Sequence, residues 1–305
     1  MSEVASSRAT RASYGDLFDE AFMRKLHSLA LASRRVFRGR LRAERASKKT
    51  GAGIEFADHR DYVEGDDIRA LDLNVYQRSE KLLLRLYEEE EDLSVHLLVD
   101  TSASMAYGPR PKLRVAQRLA AALAYVALVH LDRVSIASAS EDLDAILPPT
   151  RGKNRIFRVL DFLATLEASG KTDLGAAAKA FAARKPRRGL AIVISDFFDP
   201  RGPGAVLDPL RFARFEVVAI HLFDPADAKP KAAGDFTFVD RETGAIRDVS
   251  ITPALLARFE AAHAAHAARV ETHCREKGVR YAAVDVNEPF DEATLRLLRE
   301  GGIVL

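Results

Sequence analysis

The sequence has little of what disulfide-rich, zinc-thiolate or membrane-spanning proteins require. Cys274 is the only cysteine in 305 residues, which excludes an internal disulfide or a thiolate cluster and fits a reducing cytoplasm. The longest apolar run, LAAALAYVALVHL at 119–131, is too short to cross a bilayer. The chain also opens without a charged and then apolar leader. We therefore expect a cytoplasmic protein with no membrane span.

An excess of charge of one sign is also lacking. Lysine and arginine number 46 against 44 acidic residues, which leaves a formal net charge of +2. The chain as a whole has no bias towards nucleic acid or anionic lipid. Charge is concentrated in two short runs, with eight basic residues at 34–49 and five acids at 88–92. A nucleic-acid patch and a cation site are open alternatives to solvated faces for these two runs.

The chain divides into three regions by pattern. Residues 1–14 are small, polar and basic, and we expect them to form a disordered tail. Residues 15–92 form an N-terminal extension, expected to be helical or irregular, in which the apolar spacing over 16–38 predicts an amphipathic helix. Residues 93–305 form the main domain.

From residue 93 onwards, candidate strands alternate with amphipathic helical patterns. Runs of valine, isoleucine and leucine separated by such helices predict an α/β fold with a doubly wound, mostly parallel sheet covered on both faces. Two alternating runs within 236–251 flank Glu242-Thr243-Gly244 and predict a small hairpin. The predicted strands are 93–99, 133–139, 190–195, 215–223 and 279–286, and the predicted helices are 112–131, 153–167, 173–184, 204–213, 253–277 and 291–300.

Oxygen-bearing side chains follow two of the predicted strands and precede one predicted helix. In a doubly wound sheet, ligands bind outside the carboxyl ends of the strands, where neighbouring loops diverge. Two carboxylates and three hydroxyls suit a hard cation, Mg²⁺ by preference with Mn²⁺ as an alternative, and suit zinc poorly. The five candidate ligands are Asp100, Ser102, Ser104, Thr172 and Asp196.

The spacing of the first three candidates supports a shared ligand. Side chains two residues apart in an extended turn point to the same side, so Asp100, Ser102 and Ser104 can converge on one point. Hydroxyl ligands are neutral, so an ion held by them keeps exchangeable water, which a carboxylate from outside could replace. Helix capping by Ser104 and Thr172 is the structural alternative. We expect both serines to lie on a solvent-facing loop.

These residues resemble a known motif. Asp100-Thr101-Ser102-Ala103-Ser104, with Thr172 and Asp196, is similar to the D-x-S-x-S, T and D pattern of the metal-ion-dependent adhesion site of von Willebrand factor A domains. The resemblance implies that the serines and the threonine ligate Mg²⁺ and that the aspartates act directly or through water. It also implies that an acidic side chain of a protein partner completes the shell.

A longer segment resembles a bacterial family. The stretches GAGIEFADHRDYVEGDDIRALDLNVYQR (51–78) and KLLLRLYEEEEDLSVHLLVDTSASM (81–105) are similar to domain-of-unknown-function family 58, whose signature leads into a von Willebrand A-like domain. Leu73 stands where the family usually has tryptophan, and Gln77 where it often has alanine. Members are often encoded beside MoxR-type AAA+ ATPases, so the resemblance implies a partner of that kind. We expect the 51–78 signature itself to be structural, with buried ion pairs.

Three functions are compatible with these patterns. The first is a non-enzymatic, Mg-dependent protein-binding or adaptor module. The second is a Mg-dependent phosphatase-like hydrolase with Asp100 as nucleophile, which is disfavoured because Ser102 stands where a general-acid aspartate is required. The third is a nucleic-acid adaptor that uses the basic run at 34–49. No other catalytic set stands out, and His263 and His266 are expected to face solvent.

Overall fold

The computed structural model of the protein contains two compact units. The first comprises the chain up to residue 33 together with the chain from residue 93 onwards, and the second comprises residues 34–92. The tail expected at 1–14 lies outside the described residues. The structure describes residues 17–44, 50–51, 55–88, 93–108, 110–229, 234–240 and 244–300.

The N-terminal helix, α1 (Glu20–Glu44), begins in the larger unit. Its apolar side chains Phe22, Leu26 and Leu29 are buried, as their helical spacing in the sequence predicts. The ring of Phe22 stacks on that of Phe290, with the two centroids 4.5 Å apart. This helix therefore docks through its apolar face.

The smaller unit contains strands that the sequence analysis did not predict. Strands β1 (Thr50–Gly51), β2 (Glu55–Asp61) and β3 (Leu83–Glu88) form an antiparallel sheet in the order β1-β3-β2. Helix α2 (Leu73–Ser79) lies between β2 and β3 in the chain. The sequence of β2, EFADHRD, is too polar to give the apolar alternation by which a strand is recognised.

Asp72 connects three elements of this unit. Its carboxylate caps α2 by accepting hydrogen bonds from the backbone N–H groups of Asn74 and Val75. It also accepts from Arg85 Nη2 of β3 at 2.8 Å, and it contacts His59 Nε2 of β2 at 3.0 Å. The hydrogen bonds from Arg85 and His59 hold the pKa of Asp72 far below its ordinary value. The carboxylate of Asp72 is thus a structural group of the signature segment, but Arg85, with which it forms an ion pair, lies outside that segment. Within the segment, Arg60 pairs with Asp66 at 2.8 Å, and this pair is not buried as expected.

The larger unit is built on a six-stranded sheet and carries a separate hairpin. The hairpin confirms the one predicted within 236–251, and in it the two strands pair antiparallel with each other. The strands from residue 94 onwards are β4 (Ser94–Asp100), β5 (Arg133–Ala139), β6 (Leu143–Arg151), β7 (Leu190–Ser195), β8 (Glu216–Phe223), the hairpin strands β9 (Gly234–Val239) and β10 (Ile246–Ile251), and β11 (Arg280–Asp285).

The six strands lie in the order β11-β8-β7-β4-β5-β6. Every neighbouring pair is parallel except β5 with β6, so the predicted doubly wound, mostly parallel sheet is confirmed. Edge strand β6 was not predicted, because Pro148 and Pro149 interrupt its pattern, and proline within a sheet is confined to edges and bulges. The remaining helices are α3 (Lys112–Val129), α4 (Ile156–Ala164), α5 (Leu174–Ala183), α6 (Gly204–Phe212), α7 (Pro225–Ala228), α8 (Pro253–Lys277) and α9 (Phe290–Glu300).

Strands β4 and β7 are buried along their whole lengths, since helices cover both faces of the sheet. On one face, Leu98, Val193 and Ala219 pack with side chains of α5, α6 and α8. Helix α3 contacts β4, β5, β7 and β8, and α4 and α9 pack beside it. The chain runs from β4 to β5 on one side and later to β7 on the other, so the topological switch point lies between β4 and β7. Among the described helices, none is long and apolar enough to cross a membrane.

Candidate functional site

The site is built from the carboxyl ends of two neighbouring parallel strands. Strand β4 ends at Asp100 and β7 ends at Ser195, and the register pairs Val99 with Ile194. Asp100 and Asp196 therefore leave the sheet side by side at its switch point, where ligands bind in doubly wound folds. We call this cluster, Asp100 with Ser102, Ser104, Thr172 and Asp196, the strand-end site.

The turn after β4 gathers the first three candidates as their spacing predicts. The Oδ1 atom of Asp100 accepts hydrogen bonds from the backbone N–H of Ser102 at 2.9 Å and from its Oγ at 2.7 Å. The Oγ atoms of Ser102 and Ser104 are 3.0 Å apart. One carboxylate and two hydroxyls thus converge, although Ser102 is fully buried. The expectation that both serines face solvent is therefore wrong for Ser102.

Thr172 lies in a loop that the backbone holds against this turn. The N–H of Ala103 donates to the carbonyl of Gly170 at 3.2 Å, and the N–H of Ser169 donates to the carbonyl of Thr101 at 2.9 Å. Thr172 follows two residues after Gly170 and is buried. These bonds bring the loop of the fourth candidate to the same end of the sheet.

Helix capping does not explain these hydroxyl residues. The residue that caps α5 is Asp173, whose side chain accepts from the N–H of Ala176, and not Thr172. The cap position of α3 is occupied by Pro111, without a side-chain cap bond. Ser104 lies within the 3₁₀ turn at 103–106, and the residue at its N-terminal cap, Ser102, makes no side-chain cap bond there. The capping alternative for Ser104 and Thr172 is therefore not supported.

Asp196 is fully buried and is paired with a lysine that the sequence analysis missed. Its Oδ2 atom is 3.2 Å from Lys112 Nζ, in the first turn of α3. The same ammonium group lies 3.0 Å from Asp227 Oδ2 and 5.5 Å from the centre of the Phe198 ring. A lysine in an apolar helical pattern gives no signal that it is buried, because its partner Asp196 is 84 residues away.

Ser195 is a second residue that the analysis missed. Its Oγ donates to Asp100 Oδ2 at 2.5 Å and accepts from the N–H of Phe197 at 2.8 Å. The hydroxyl thus fixes the second oxygen of Asp100 while the turn after β4 fixes the first. Its position as the last residue of β7, directly before Asp196, was the available signal.

The site has an excess of buried negative charge. Burial, followed by the nearby charge of Asp196, raises the pKa of Asp100 to about 7, although hydrogen bonds from Ser102 and Ser195 act in the opposite direction. Burial alone would lower the pKa of Lys112, but the charges of Asp196 and Asp227 outweigh it and raise that pKa. A divalent cation beside Asp100 would favour its ionised form and so offset the effect of burial and of Asp196 on its pKa.

The residues present fit a hard divalent cation. The Ser102 hydroxyl lies within hydrogen-bonding distance of both the Asp100 carboxylate and the Ser104 hydroxyl, and oxygen ligands of this kind suit Mg²⁺ or Mn²⁺. Within the described parts of the chain, no group of three or more His, Cys, Asp or Glu side chains is arranged to hold a metal. A cation at this edge would therefore depend on hydroxyl ligands as well as on carboxylates.

A histidine that was expected to face solvent instead adjoins the site. His266 of α8 is buried, its Nε2 lies 3.0 Å from the backbone carbonyl of Asp196, and its ring stacks on Phe198 with centroids 4.1 Å apart. Burial lowers the pKa of His266. The expectation for His266 was wrong because the helix face that carries it packs against the loop after β7.

The fold and the site define a class of protein, an α/β protein with a doubly wound, mostly parallel sheet and an oxygen-rich cluster at its switch point. The chain belongs to the family described as "Protein of unknown function DUF58", whose profile matches residues 58–269. An uncharacterized protein of Mycobacterium tuberculosis is 33% identical over 270 residues, which covers 85% of this chain and 84% of the relative. An uncharacterized protein of Mycobacterium avium is 39% identical over 110 residues, which covers 35% of this chain and 62% of that relative.

Solved structures show weaker likenesses. An aerotolerance-related membrane protein from Bacteroides fragilis has a TM-score of 0.44 and 19% identity, over 70% of this chain and 100% of that one. The conserved hypothetical protein BatB from Bacteroides thetaiotaomicron has a TM-score of 0.41 and 18% identity, with the same coverage. Both scores are below 0.5, so the fold assignment rests on the strand order and pairing described above.

Proposed function

We propose that the protein is a non-enzymatic binding module that holds Mg²⁺ at the strand-end site and captures an acidic side chain of a protein partner. The observation that carries this proposal is the convergence of Asp100, Ser102 and Ser104 beside the buried carboxylate of Asp196. The likeness of these residues to the adhesion site of von Willebrand factor A domains supports the same reading.

Each group of the site has a part in this function. A bound Mg²⁺ would supply a Lewis-acidic position for an external carboxylate. Ser195 and the turn after β4 hold both oxygens of Asp100 in place. Lys112 offsets part of the negative charge of Asp196, and the serine ligands add no negative charge of their own. A divalent cation at this site would therefore keep a preference for a carboxylate from outside.

The phosphatase alternative lacks a proton donor at the required position. In such enzymes the residue two positions after the nucleophilic aspartate is a carboxylic acid that serves as general acid. Here that residue is Ser102, whose hydroxyl donates a hydrogen bond to Asp100 itself. The proposal is therefore a binding function without turnover.

A MoxR-type AAA+ ATPase is the partner that the family resemblance favours. Such a partner would present an aspartate or glutamate side chain to the cation, so its binding would require both the metal and the hydroxyl ligands. The nucleic-acid alternative has no support from the structure, because the side chains of the basic run at 34–49 lie outside the described part of the chain.

Ser104→Ala tests the site with little damage to the fold. Ser104 is partly exposed, in contrast to the buried Ser102, so losing its hydroxyl should cost roughly 0.5–1.5 kcal/mol. A cation that binds only the folded chain raises the melting temperature by mass action. We expect Mg²⁺ to raise the melting temperature of the wild type more than that of the variant. Calorimetric titration should show Mg²⁺ binding weakened at least about tenfold, about 1.4 kcal/mol.

Ser28→Ala is the matched control, since it removes an exposed hydroxyl that bonds only locally, to the carbonyl of Arg24 in α1. It should respond to Mg²⁺ like the wild type. The partner is then tested by capture of a purified MoxR-type ATPase with Mg²⁺ and with chelator. Capture that is unaffected by the chelator, or an unchanged Mg²⁺ affinity in Ser104→Ala, would contradict the proposal.

A further inference from the structure

Arg201 joins two loops that carry candidate ligands of the strand-end site. It follows Asp196 in the loop after β7. Its guanidinium group forms a two-pronged pair with Asp199, through Nη2 at 3.1 Å and through Nε at 3.2 Å. The same Nη2 atom also pairs with Asp173, the residue directly after Thr172. One side chain thus connects the loop of the fourth candidate ligand to the loop of the fifth.

The side chain of Arg201 is held in one position. The carboxylate of Asp199 is 1% exposed, and its Oδ1 atom also accepts the backbone N–H of Arg201 at 2.8 Å. Two-pronged, charge-assisted pairs of this kind fix the geometry of both partners. Gly175, in the first turn of α5, leaves room for the guanidinium group, because a Cβ there would lie 3.0 Å from Nη2. Arg201 is therefore fixed against the start of α5.

The backbone holds the other side of the loop at 169–173. The N–H of Asp173 donates to the carbonyl of Ser140, after β5, at 2.9 Å. The bonds at Ser169 and Gly170 described above join the loop to the turn after β4. The loop is thus located relative to the β4 side of the site by its backbone, and it is tied to the β7 side by Arg201.

We propose that Arg201 is a positioning residue of the strand-end site, which holds the Thr172 hydroxyl at the separation from Asp196 that a bound cation requires. This inference rests on the proposed Mg²⁺ site. Mg²⁺ demands nearly ideal octahedral geometry, with ligands at about 2.0–2.1 Å, so a small shift of one ligand loop lowers its affinity. Mutation of residues that orient metal ligands typically changes metal affinity about 10–100-fold. Arg201 is itself a cation and acts only through these loops.

Charge and positioning predict opposite effects of Arg201→Gln. The loss of a positive charge near a cation site by itself favours the cation, whereas the loss of the tie between the two loops disfavours it. We expect calorimetric titration to show Mg²⁺ binding to Arg201→Gln weakened at least about tenfold. The matched control is Arg211→Gln, which removes an arginine from an ion pair within α6 and should bind Mg²⁺ within about twofold of the wild type.

Asp173→Asn cuts the same tie from its other end. Asparagine caps helices about as well as aspartate, so the cap of α5 is kept, and the buried pair of Asp199 with Arg201 remains. This variant should also bind Mg²⁺ more weakly than the wild type. The double variant, Arg201→Gln with Asp173→Asn, leaves the net charge unchanged. If the two residues act as one tie, the double variant should bind Mg²⁺ as weakly as the single variants do.

The action through Thr172 is tested in a second background. Thr172→Val removes the hydroxyl that is the proposed ligand, so Arg201→Gln should cause no further loss of Mg²⁺ affinity when it is added to Thr172→Val. An Arg201 that supports only the general fold would not show this dependence on Thr172. Melting temperatures in chelator show whether each variant is folded. If Arg201→Gln does not fold, the same comparison with Asp173→Asn decides the proposal.

Three results would overturn this proposal. These are unchanged or tighter Mg²⁺ binding by Arg201→Gln, a double variant that binds like the wild type, and an equal loss of affinity in the presence and absence of the Thr172 hydroxyl. Each of them leaves the Mg²⁺ site itself in place. Absence of saturable Mg²⁺ binding to the wild type would instead overturn the proposed function together with this inference.

Discussion

At the scale of single residues, Lys112 determines the charge balance of the strand-end site. Its side chain is 7% exposed and lies between Asp196 and Asp227. Removing one partner of a buried ion pair leaves an uncompensated charge, which is a larger loss than the net contribution of the pair. A divalent cation at this edge would share the Asp196 carboxylate with the ammonium group, so Lys112 lowers the affinity of the site for that cation.

We predict opposite effects of Lys112→Met with and without metal. In chelator the variant should lose about 3–5 kcal/mol of stability, because Asp196 and Asp227 become unpaired in a buried setting. With Mg²⁺ its melting temperature should rise more than that of the wild type. Thermal unfolding in both conditions measures this, with Lys179→Met, at an exposed position of α5, as the control. An equal Mg²⁺-dependent rise in variant and wild type would show that Lys112 does not compete with the cation.

At the scale of secondary-structure elements, Asp72 links α2, β2 and β3 of the smaller unit. The cap bonds of α2, the ion pair with Arg85 and the hydrogen bond with His59 all use the ionised carboxylate. The folded-state pKa of Asp72 lies below its ordinary value of 3.8. Its contribution to stability is therefore present above that value and is lost as the pH falls through the folded-state pKa.

We predict that Asp72→Asn destabilises the 34–92 unit at pH 7 and that this difference shrinks below about pH 3.8. The reason is that the carboxylate of the unfolded chain takes up a proton below that pH, whereas the carboxylate of the folded chain, with its lowered pKa, stays ionised until the pH falls further. Hydrogen exchange of β2 and β3 at pH 7 measures the destabilisation of this unit. Denaturant unfolding of wild type and variant at pH 7 and at pH 3 measures how the difference between them depends on pH. Asp67→Asn, which affects one exposed cap bond to Arg69, should have a smaller effect. A difference that is as large at pH 3 as at pH 7 would mean that packing, and not charge, is the contribution of Asp72.

At the scale of the whole molecule, positive and negative charges are nearly balanced over the sequence. The net charge of +2 gives no long-range attraction for one class of partner, so recognition depends on local sites. The strand-end site carries negative charge, and the first turn of α3 contributes Lys112 to it.

We predict that the purified protein hydrolyses no generic phosphate ester in the presence of Mg²⁺, because Ser102 cannot act as a general acid. The measurement is release of p-nitrophenol from p-nitrophenyl phosphate by the wild type and by Asp100→Asn. Both should match the rate in buffer alone. Turnover by the wild type that is lost in Asp100→Asn would instead favour the hydrolase.

Much of the larger unit could be predicted because its elements are encoded locally. A continuous apolar run identified β7 at its observed bounds, since a strand buried on both faces is apolar throughout. The segment RVSIASA identified β5 at its observed bounds as well. The spacing of Asp100, Ser102 and Ser104 also predicted three polar groups in one turn, because side chains two residues apart in an extended turn point to the same side. Strand β2 and edge strand β6 were missed, because a charged strand and a strand with two prolines lack that pattern.

The sequence by itself determined the mostly parallel character of the sheet, five of its six strands, the turn after β4 and the family to which the chain belongs. The tertiary structure alone decided that Ser102 is buried, that Ser195 holds Asp100, that Lys112 neutralises Asp196 and that His266 packs behind it. Ser195 is 95 residues from Asp100, and Lys112 is 84 residues from Asp196. Local periodicity reports which face of an element is apolar, but contacts across such distances depend on which strands become neighbours at the switch point.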